Sequence, residues 1–169
     1  VIICFAKHII TDDFFGIILA DDLILSEPGC LKQLLEIHEK TQSSVLGVFS
    51  ASENQVSNYG VISSKNIDGI EKVDGIVEKP KPADAPSNLA VFGRYILSKD
   101  IFPNIEQTKP GLNNEIQLTD AIQDLISNQD VFALEFEGRR FDCGSKEGYI
   151  SAINDRALSI DKYKSIIEK

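Results

Sequence analysis

The sequence predicts an α/β fold in which helices cover a parallel sheet, and the first fifty residues carry that prediction. An unbroken run of apolar or small residues, Gly16–Ala20, is typical of a strand that is buried on both faces. Apolar residues at helical spacing follow over Leu31–His38, and Ser44–Ser50 has the pattern of a second strand. A strand, a helix and a strand in this order predict a βαβ unit with a right-handed crossover.

The other elements are predicted from local signals. The Ser26–Pro28 segment is typical of a helix start, because it combines a capping serine, an acid and a proline. Tyr59–Ile62 and Ile70–Val77 predict a hairpin, since Asn66–Gly69 between them is a turn signal. The later predictions are a strand over Asn88–Leu97, a helix over Leu118–Ile126, a strand over Val131–Phe136, a tight loop over Gly138–Gly144 and a helix from Lys146 onward. No internal repeat or long linker interrupts the chain, so we expect one domain over residues 1–169.

Composition narrows the range of partners. The 169 residues carry a net charge of −9, so no general attraction to nucleic acid or to an anionic membrane is expected. The three cysteines form no C-x-x-C pair, and neither histidine lies at a zinc-type spacing from them. This pattern favours reduced thiols. No apolar run approaches the length of a membrane span and no signal peptide is recognised, so we expect a cytoplasmic protein.

The first candidate site follows the Gly16–Ala20 strand. In open parallel sheets, ligands bind outside the carboxyl ends of the strands, which is where Asp21 and Asp22 fall. Adjacent strand residues point to opposite faces, so we expect one of the two acids to face the site. A carboxylate there suits a hard divalent cation such as Mg2+. Alternatively, the two acids merely end a strand and start a loop.

Two further polar clusters are candidates. Glu78 and Lys79 end an extended segment, so we expect them to point to opposite sides. The carboxylate could accept hydrogen bonds from sugar hydroxyls and the ammonium could meet a phosphate, although the dipeptide alone favours a solvated loop pair. Asp142 lies near Gly144 in the predicted tight loop. It is a candidate second metal ligand, or else it caps the helix that follows.

Several familiar catalytic patterns are absent from the sequence. It contains no Walker A loop, no G-x-S-x-G, no H-E-x-x-H and no G-x-G-x-x-G. Cys143 has no nearby histidine, so a thiol nucleophile is not expected. Two separated acids and a lysine suit metal-assisted phosphoryl or nucleotidyl chemistry better than hydrolysis by a catalytic triad.

Seven motifs, in order and covering nearly the whole chain, resemble the bacterial UTP–glucose-1-phosphate uridylyltransferase family. They are Leu19-Ala20-Asp21-Asp22, Tyr59-Gly60-Val61, Val77-Glu78-Lys79-Pro80-Lys81-Pro82, Ala85-Pro86-Ser87-Asn88-Leu89-Ala90, Gly93-Arg94-Tyr95, Glu115-Ile116-Gln117-Leu118-Thr119-Asp120-Ala121-Ile122 and Gly138-Arg139-Arg140-Phe141-Asp142-Cys143-Gly144-Ser145-Lys146. Each motif alone is weak evidence. Seven of them in family order and at similar spacing are highly specific.

The resemblance implies a Rossmann-like nucleotidyltransferase core with a mixed, mainly parallel sheet flanked by helices. The implied reaction joins UTP and glucose 1-phosphate into UDP-glucose and pyrophosphate with Mg2+. Carried over by position, Asp21 and Asp142 would hold the Mg2+, Glu78 and the backbone of Gly60 would bind the glucose hydroxyls, and Lys79 would bind the sugar phosphate. Because both substrates are anionic, Mg2+ at Asp21 and the charge of Lys79 would offset their repulsion, which makes these two residues the catalytic candidates.

The chain departs from the family pattern in two places. The family begins with a strand and a glycine-rich loop that carries an arginine and cradles the nucleotide, and no stretch of residues 1–169 matches them. The chain also has no methionine. We therefore expect a carboxyl-terminal part of the enzyme, without the N-terminal strands and with little activity alone. Asn114 stands where the family usually has glycine before Glu115, so a backbone contact there is in question.

Two rival functions remain open. A sister nucleotidyltransferase could use another base or sugar, because base choice depends mainly on the region that has no match here. A non-catalytic sugar-phosphate-binding module is the rival from another class, and the joint presence of Asp21, Lys79 and Asp142 argues against it. We also expect a homo-oligomer. The helix after Lys146 could serve subunit contacts, although packing on its own domain explains its apolar stripe equally well.

Overall fold

A computed structural model describes residues 2–111 and 116–167. The strands are β1 (Phe14–Ile18), β2 (Asp22–Leu25), β3 (Ser44–Ser50), β4 (Gly60–Ile67), β5 (Ile70–Glu78), β6 (Leu89–Ser98), β7 (Val131–Glu135) and β8 (Arg139–Asp142). The helices are α1 (Cys30–Thr41), α2 (Ile101–Gln107), α3 (Leu118–Asn128), α4 (Lys146–Leu158) and α5 (Asp161–Ile167), with short 3-10 helices at Ile2–His8, Val56–Asn58 and Pro82–Asp84. Asn114 and Glu115, named above, lie outside the described residues.

Six strands form one mixed sheet in the order β1-β6-β3-β7-β5-β4, and β4 also pairs with β6 through Val61 and Ala90. The predicted α/β class and mixed sheet are confirmed, but the expectation of a mainly parallel sheet is wrong. Among the described residues, β3 and β7 form the single parallel pair. The reason is that β6 lies between β1 and β3 and runs opposite to both, while β4 and β5 form a hairpin.

The strand predicted over Gly16–Ala20 is present but is not buried on both faces. β1 ends at Ile18, and within it only Ile17 is buried. Ile18 is 59% exposed, because the one described neighbour of β1 is β6. Asp21 and Asp22 therefore do not end this strand directly, and Asp22 begins the next one, β2.

The βαβ unit also starts differently from its prediction. The helix begins at Cys30 with Gly29 at its N-cap, and Ser26–Pro28 lies outside it, because β2 takes up residues 22–25 first. The hairpin prediction is confirmed. Asp68 and Gly69 turn the chain with φ angles of +52° and +84°, as the primed turns of tight hairpins require.

Apolar clusters fill both faces of the sheet. Adjacent residues of β3 point to opposite sides, so Leu46 packs with α2 and α3 residues while Val45 packs with Cys30 and Leu34 of α1. Leu97 and Ile96 of β6 divide between the same two clusters. The sheet is therefore a rigid support with helices on both faces.

The segment predicted as a tight loop over Gly138–Gly144 contains a strand. β8 pairs antiparallel with β2 in a separate two-stranded ribbon, in which Asp22 lies opposite Asp142. Helix α4 follows this ribbon, and its apolar stripe is largely exposed: Tyr149 is 56% and Ile153 is 51% exposed. The ribbon and its helices therefore bury much less apolar surface than the six-stranded sheet.

Candidate active site

A cleft of about 400 Å³ lies between the six-stranded sheet and the β2–β8 ribbon. Every site residue predicted from the sequence lines it, namely Asp21, Gly60, Glu78, Lys79 and Asp142. These residues come from four separate parts of the chain. The fold therefore brings into one cleft residues that the sequence predicted as separate candidates.

The sheet wall of the cleft carries a fixed carboxylate. Gly60 and Glu78 are direct partners in the β4–β5 hairpin. Thr119, at the start of α3, donates its hydroxyl hydrogen to Oε2 of Glu78 over 2.9 Å. A Cβ on Gly60 would lie 2.5 Å from the Thr119 methyl group, so position 60 must be glycine for this packing. Oε2 of Glu78 is thus held by Thr119, while Oε1 lies near the ammonium group of Lys79 in the cleft.

Lys79 does not continue the extended strand, as the sequence suggested. Its φ angle is +46°, in the left-handed region, and its backbone N–H donates to the Tyr59 carbonyl over 3.0 Å. Because the chain turns here, the Glu78 and Lys79 side chains lie on the same side, with Nζ 3.6 Å from Oε1. The expectation that they point to opposite sides is therefore wrong, and both line the cleft. A left-handed non-glycine residue is strained, which is common at functional sites.

Two acids meet on the ribbon side of the cleft. A Cβ placed on Gly144 would lie 3.2 Å from Oδ1 of Asp142 and 3.4 Å from Oδ2 of Asp21, so the two carboxylates flank the same point. The Cys143 N–H donates to the Asp21 carbonyl over 2.7 Å and holds the two segments together. Asp21 is exposed and the Asp142 side chain is 43% exposed, so both can reach a ligand.

These two acids fit a magnesium ion. Mg2+ commonly takes one or two carboxylates from the protein and completes its octahedron with water and substrate phosphates. Within the residues that the structure describes, no group of three or more histidines, cysteines or acids could hold a metal. Asp21 and Asp142 therefore suit a shared protein–substrate site rather than a closed structural one.

The neighbouring acid, Asp22, has a different role. It is buried, accepts a bond from Nε of Arg140 at 2.5 Å and accepts the Gly93 N–H at 2.9 Å. The expectation that only one of the two adjacent acids faces the site is wrong, because both line the cleft. They differ in that Asp21 is exposed, whereas the carboxylate of Asp22 is bound by protein donors. Asp22 joins the ribbon to β6.

Arg140 and Tyr59 were not predicted as site residues, although both stand inside the quoted motifs. The Arg140 guanidinium lies over the rings of Phe49 and Tyr59, with its Cζ 4.6 and 4.9 Å from the ring centroids. Burial lowers the pKa of Arg140, but the Tyr59 hydroxyl and Asp22 outweigh it and hold the pKa above its usual value. Burial raises the pKa of the Tyr59 hydroxyl, Arg140 opposes the rise and Asp142 adds to it. The guanidinium is therefore charged and the phenol protonated at neutral pH.

The alternative role for Asp142, as a helix cap, is wrong. Helix α4 is capped by Ser145, whose Oγ accepts the Gly148 N–H over 3.0 Å. Asp142 Oδ1 instead accepts the Gly144 N–H over 3.1 Å. A Cβ on Gly148 would lie only 1.9 Å from the Asp142 carbonyl oxygen, so glycine is required where the helix meets the ribbon.

The cysteines of the described residues form no disulfide. Cys4, Cys30 and Cys143 are all free thiols, and all three belong to the described residues. Burial raises the pKa of Cys30 to about 11, so that thiol stays protonated at neutral pH. This agrees with the prediction of reduced thiols.

Comparison with known families gives the class of protein. The chain belongs to the nucleotidyl transferase family, which matches residues 2–158. Two carboxylates and a lysine in one cleft are groups that metal-assisted phosphoryl transfer can use.

The similar proteins are more specific. A UTP–glucose-1-phosphate uridylyltransferase of Pseudomonas aeruginosa is 46% identical over 151 residues, 88% of this chain and 54% of the relative. One from Staphylococcus epidermidis is 43% identical over 154 residues, 90% of this chain and 54% of the relative. The predicted resemblance is therefore confirmed, and the chain spans about half the length of the curated relatives it matches.

Solved structures agree. A UDP-glucose pyrophosphorylase complexed with UDP-glucose superposes with a TM-score of 0.89 at 43% identity, covering 94% of this chain and 61% of that one. A UTP-bound enzyme of Acinetobacter baumannii superposes with a TM-score of 0.83 at 33% identity, covering 98% of this chain and 58% of that one. Within residues 2–111 and 116–167, every helix is too short or too polar to span a lipid bilayer.

Proposed function

We propose that this chain supplies the sugar-phosphate and metal half of a UTP–glucose-1-phosphate uridylyltransferase, which forms UDP-glucose and pyrophosphate. The observation that carries the proposal is the cleft in which Glu78 and Lys79 face the Asp21–Asp142 pair. The relatives named for this reaction support it. The proposed setting is the cytoplasm, and the proposed assembly is a homo-oligomer.

The sheet wall would bind the sugar. Glu78 keeps one oxygen on Thr119 and offers the other to sugar hydroxyls, which are good donors to a carboxylate. The Gly60 backbone lies directly opposite in the hairpin, where a side chain would obstruct a close approach. Lys79 would leave its long 3.6 Å contact with Glu78 and meet the sugar phosphate as a point charge.

The opposite side would hold Mg2+ between Asp21 and Asp142. When bound, the ion offsets the negative charge that builds up between the two phosphate groups. Lys79 adds a second positive charge and fixes the direction from which the sugar phosphate approaches. No covalent intermediate with the protein is required by this set of residues.

Binding of glucose 1-phosphate to the 169-residue chain, measured by calorimetry with Mg2+ present, tests the proposal. We expect Lys79→Ala to weaken binding at least about tenfold, because it removes the single lysine that lines the cleft among the described residues. Lys81→Ala is the matched control, since Lys81 is exposed and does not line the cleft, and it should change affinity less than about twofold. Absence of binding, or equal loss in both variants, would contradict the proposal.

Catalysis gives a second test. In a catalytically active form of the protein, Asp21→Asn and Lys79→Ala should each lower the rate of UDP-glucose formation by about two orders of magnitude or more, the usual effect of removing a charge-stabilising group. A near-native rate in either variant would remove that residue from the site. Assays with TTP and CTP in place of UTP, and galactose 1-phosphate in place of glucose 1-phosphate, separate the sister enzymes from this assignment.

A further inference from the structure

Tyr59 connects the two halves of the cleft. Its backbone carbonyl accepts the N–H of Lys79 over 3.0 Å, at the left-handed turn on the sheet wall. Its hydroxyl reaches across and donates to Oδ2 of Asp142 over 2.9 Å. One residue thus contacts the lysine that would bind the sugar phosphate and the acid that would bind the metal.

Asp142 depends on this contact for its orientation. Its side chain is 43% exposed at the end of the short strand β8. Oδ1 accepts the Gly144 N–H, and Oδ2 accepts the Tyr59 hydroxyl while Nη2 of Arg140 stays 3.9 Å away. Without the hydroxyl, the carboxylate would be held on one oxygen by a single backbone donor.

The proton of the Tyr59 hydroxyl is directed to Asp142 by Arg140. Nη1 of Arg140 donates to the hydroxyl oxygen over 3.3 Å, and an arginine has no acceptor of its own, so the hydroxyl must donate elsewhere. The ring is fixed at the same time, since it packs edge-on against Phe49 with the centroids 5.1 Å apart. Tyr59 is therefore held in place as a donor, and within residues 2–111 and 116–167 the acceptor of its hydroxyl hydrogen is Asp142.

We propose that Tyr59 is a positioning residue for the metal: its hydroxyl holds the Asp142 carboxylate in the orientation that binds the ion. This inference rests on the proposed function. A donor that hydrogen-bonds a metal ligand without touching the metal typically changes metal affinity by about 10- to 100-fold when it is removed. The sheet wall, through Tyr59, would then set the geometry of a ligand that the ribbon carries.

Binding of Mn2+ alone to the 169-residue chain, followed by electron paramagnetic resonance, tests the inference without any need for activity. We expect Tyr59→Phe to weaken Mn2+ binding about tenfold, because the ring and its contacts stay while the donor is lost. Tyr163→Phe removes the same hydroxyl from a 42% exposed position on α5 and should leave the affinity unchanged. Thermal unfolding of each variant checks that the fold is retained.

Asp142→Asn separates a failure of this inference from a failure of the proposed function. If Tyr59 acts through Asp142, then adding Tyr59→Phe to Asp142→Asn should cause no further loss of the residual affinity. Weak binding in Asp142→Asn with native binding in Tyr59→Phe would overturn the role of Tyr59 and leave the proposed metal site standing. Equal Mn2+ binding in wild type and Asp142→Asn would contradict the proposed metal site, and with it the role of Tyr59.

Discussion

The two walls of the cleft are held in place by different forces. The sheet wall rests on apolar clusters in which residues such as Leu46 and Ile62 are fully buried. The β2–β8 ribbon has short strands, and its helix α4 buries only Ala152. Apart from Ile24, which packs against the core, the contacts that join the ribbon to the sheet are polar. The Gly93 N–H and the Arg94 guanidinium donate to Asp22, and Arg140 donates to the Tyr59 hydroxyl.

The two halves of the site therefore differ in their stability against local unfolding. The sugar-binding wall has the stability of the whole sheet, because its residues begin and end core strands. The metal-binding wall depends on a few buried polar bonds, each of which is costly to leave unpaired. We therefore expect the metal half to be lost under milder conditions than the sugar half.

The largest expected effect is a difference in the free energy of unfolding between a substitution in the sheet and one in helix α4. Leu46→Ala should lower the free energy of unfolding by about 2–5 kcal/mol, because it leaves a cavity in a closely packed core. Ile153→Ala on α4 removes a side chain that is 51% exposed and should cost no more than about 0.5 kcal/mol. Urea unfolding measures both, and equal losses would mean that the ribbon helices are packed as tightly as the sheet.

The next largest effect is expected from Asp22, whose contacts attach the β2–β8 ribbon to the sheet. Asp22→Asn keeps the shape of the side chain but removes the charge that accepts the Gly93 N–H of β6 and that lies nearest to the largely buried Arg140, which should cost about 1.5–3 kcal/mol. Hydrogen exchange should show faster opening of β2 and β8 with little change in β3 and β6. Uniform loss of protection over all four strands would contradict a locally attached ribbon.

A smaller effect tests the sheet wall alone. Thr119→Val removes the hydroxyl that holds Glu78 but keeps the methyl group that packs on Gly60. One such hydrogen bond contributes about 1 kcal/mol, so glucose 1-phosphate affinity should fall roughly fivefold. Thr119→Ser retains the hydroxyl and should bind within about twofold of wild type. Equal affinities in the two variants would remove Thr119 from the sugar site.

Thiol labelling compares the walls without disturbing either one. Cys143 in the ribbon is half-buried, whereas Cys30 on α1 is 4% exposed and burial raises its pKa to about 11. The experiment uses a Cys4→Ser variant, so that these two thiols are the ones that react. At pH 8, a disulfide reagent should modify Cys143 quickly and Cys30 only when the protein opens, since the thiolate is the reactive form. Equal rates would contradict the difference between the two regions.

The sequence predicted the sheet better than the ribbon, and the reason is physical. β6 and α3 are marked by long apolar patterns, and the β4–β5 turn by Asp68-Gly69, so local signals sufficed for them. β2 and β8 are four residues each and pair across more than a hundred positions, which no local pattern reports.

The candidate site divides in the same way. Motifs marked Asp21, Glu78, Lys79 and Asp142, but not how they face one another. The left-handed turn at Lys79 and the reach of Tyr59 to Asp142 are tertiary features, and so is the burial of Arg140 among aromatic rings. These contacts join residues that are distant in the chain, so spacing alone could not predict them.

The most direct test of the central claim is the position of a bound Mn2+ ion, measured by paramagnetic broadening of backbone amide signals in the 169-residue chain. The account predicts that the amides of Asp21, Cys143 and Gly144 broaden first, followed by that of Gly60, while those of α1 and α2 stay sharp. Broadening that is absent, or that centres on any other part of the protein, would contradict a metal site between Asp21 and Asp142.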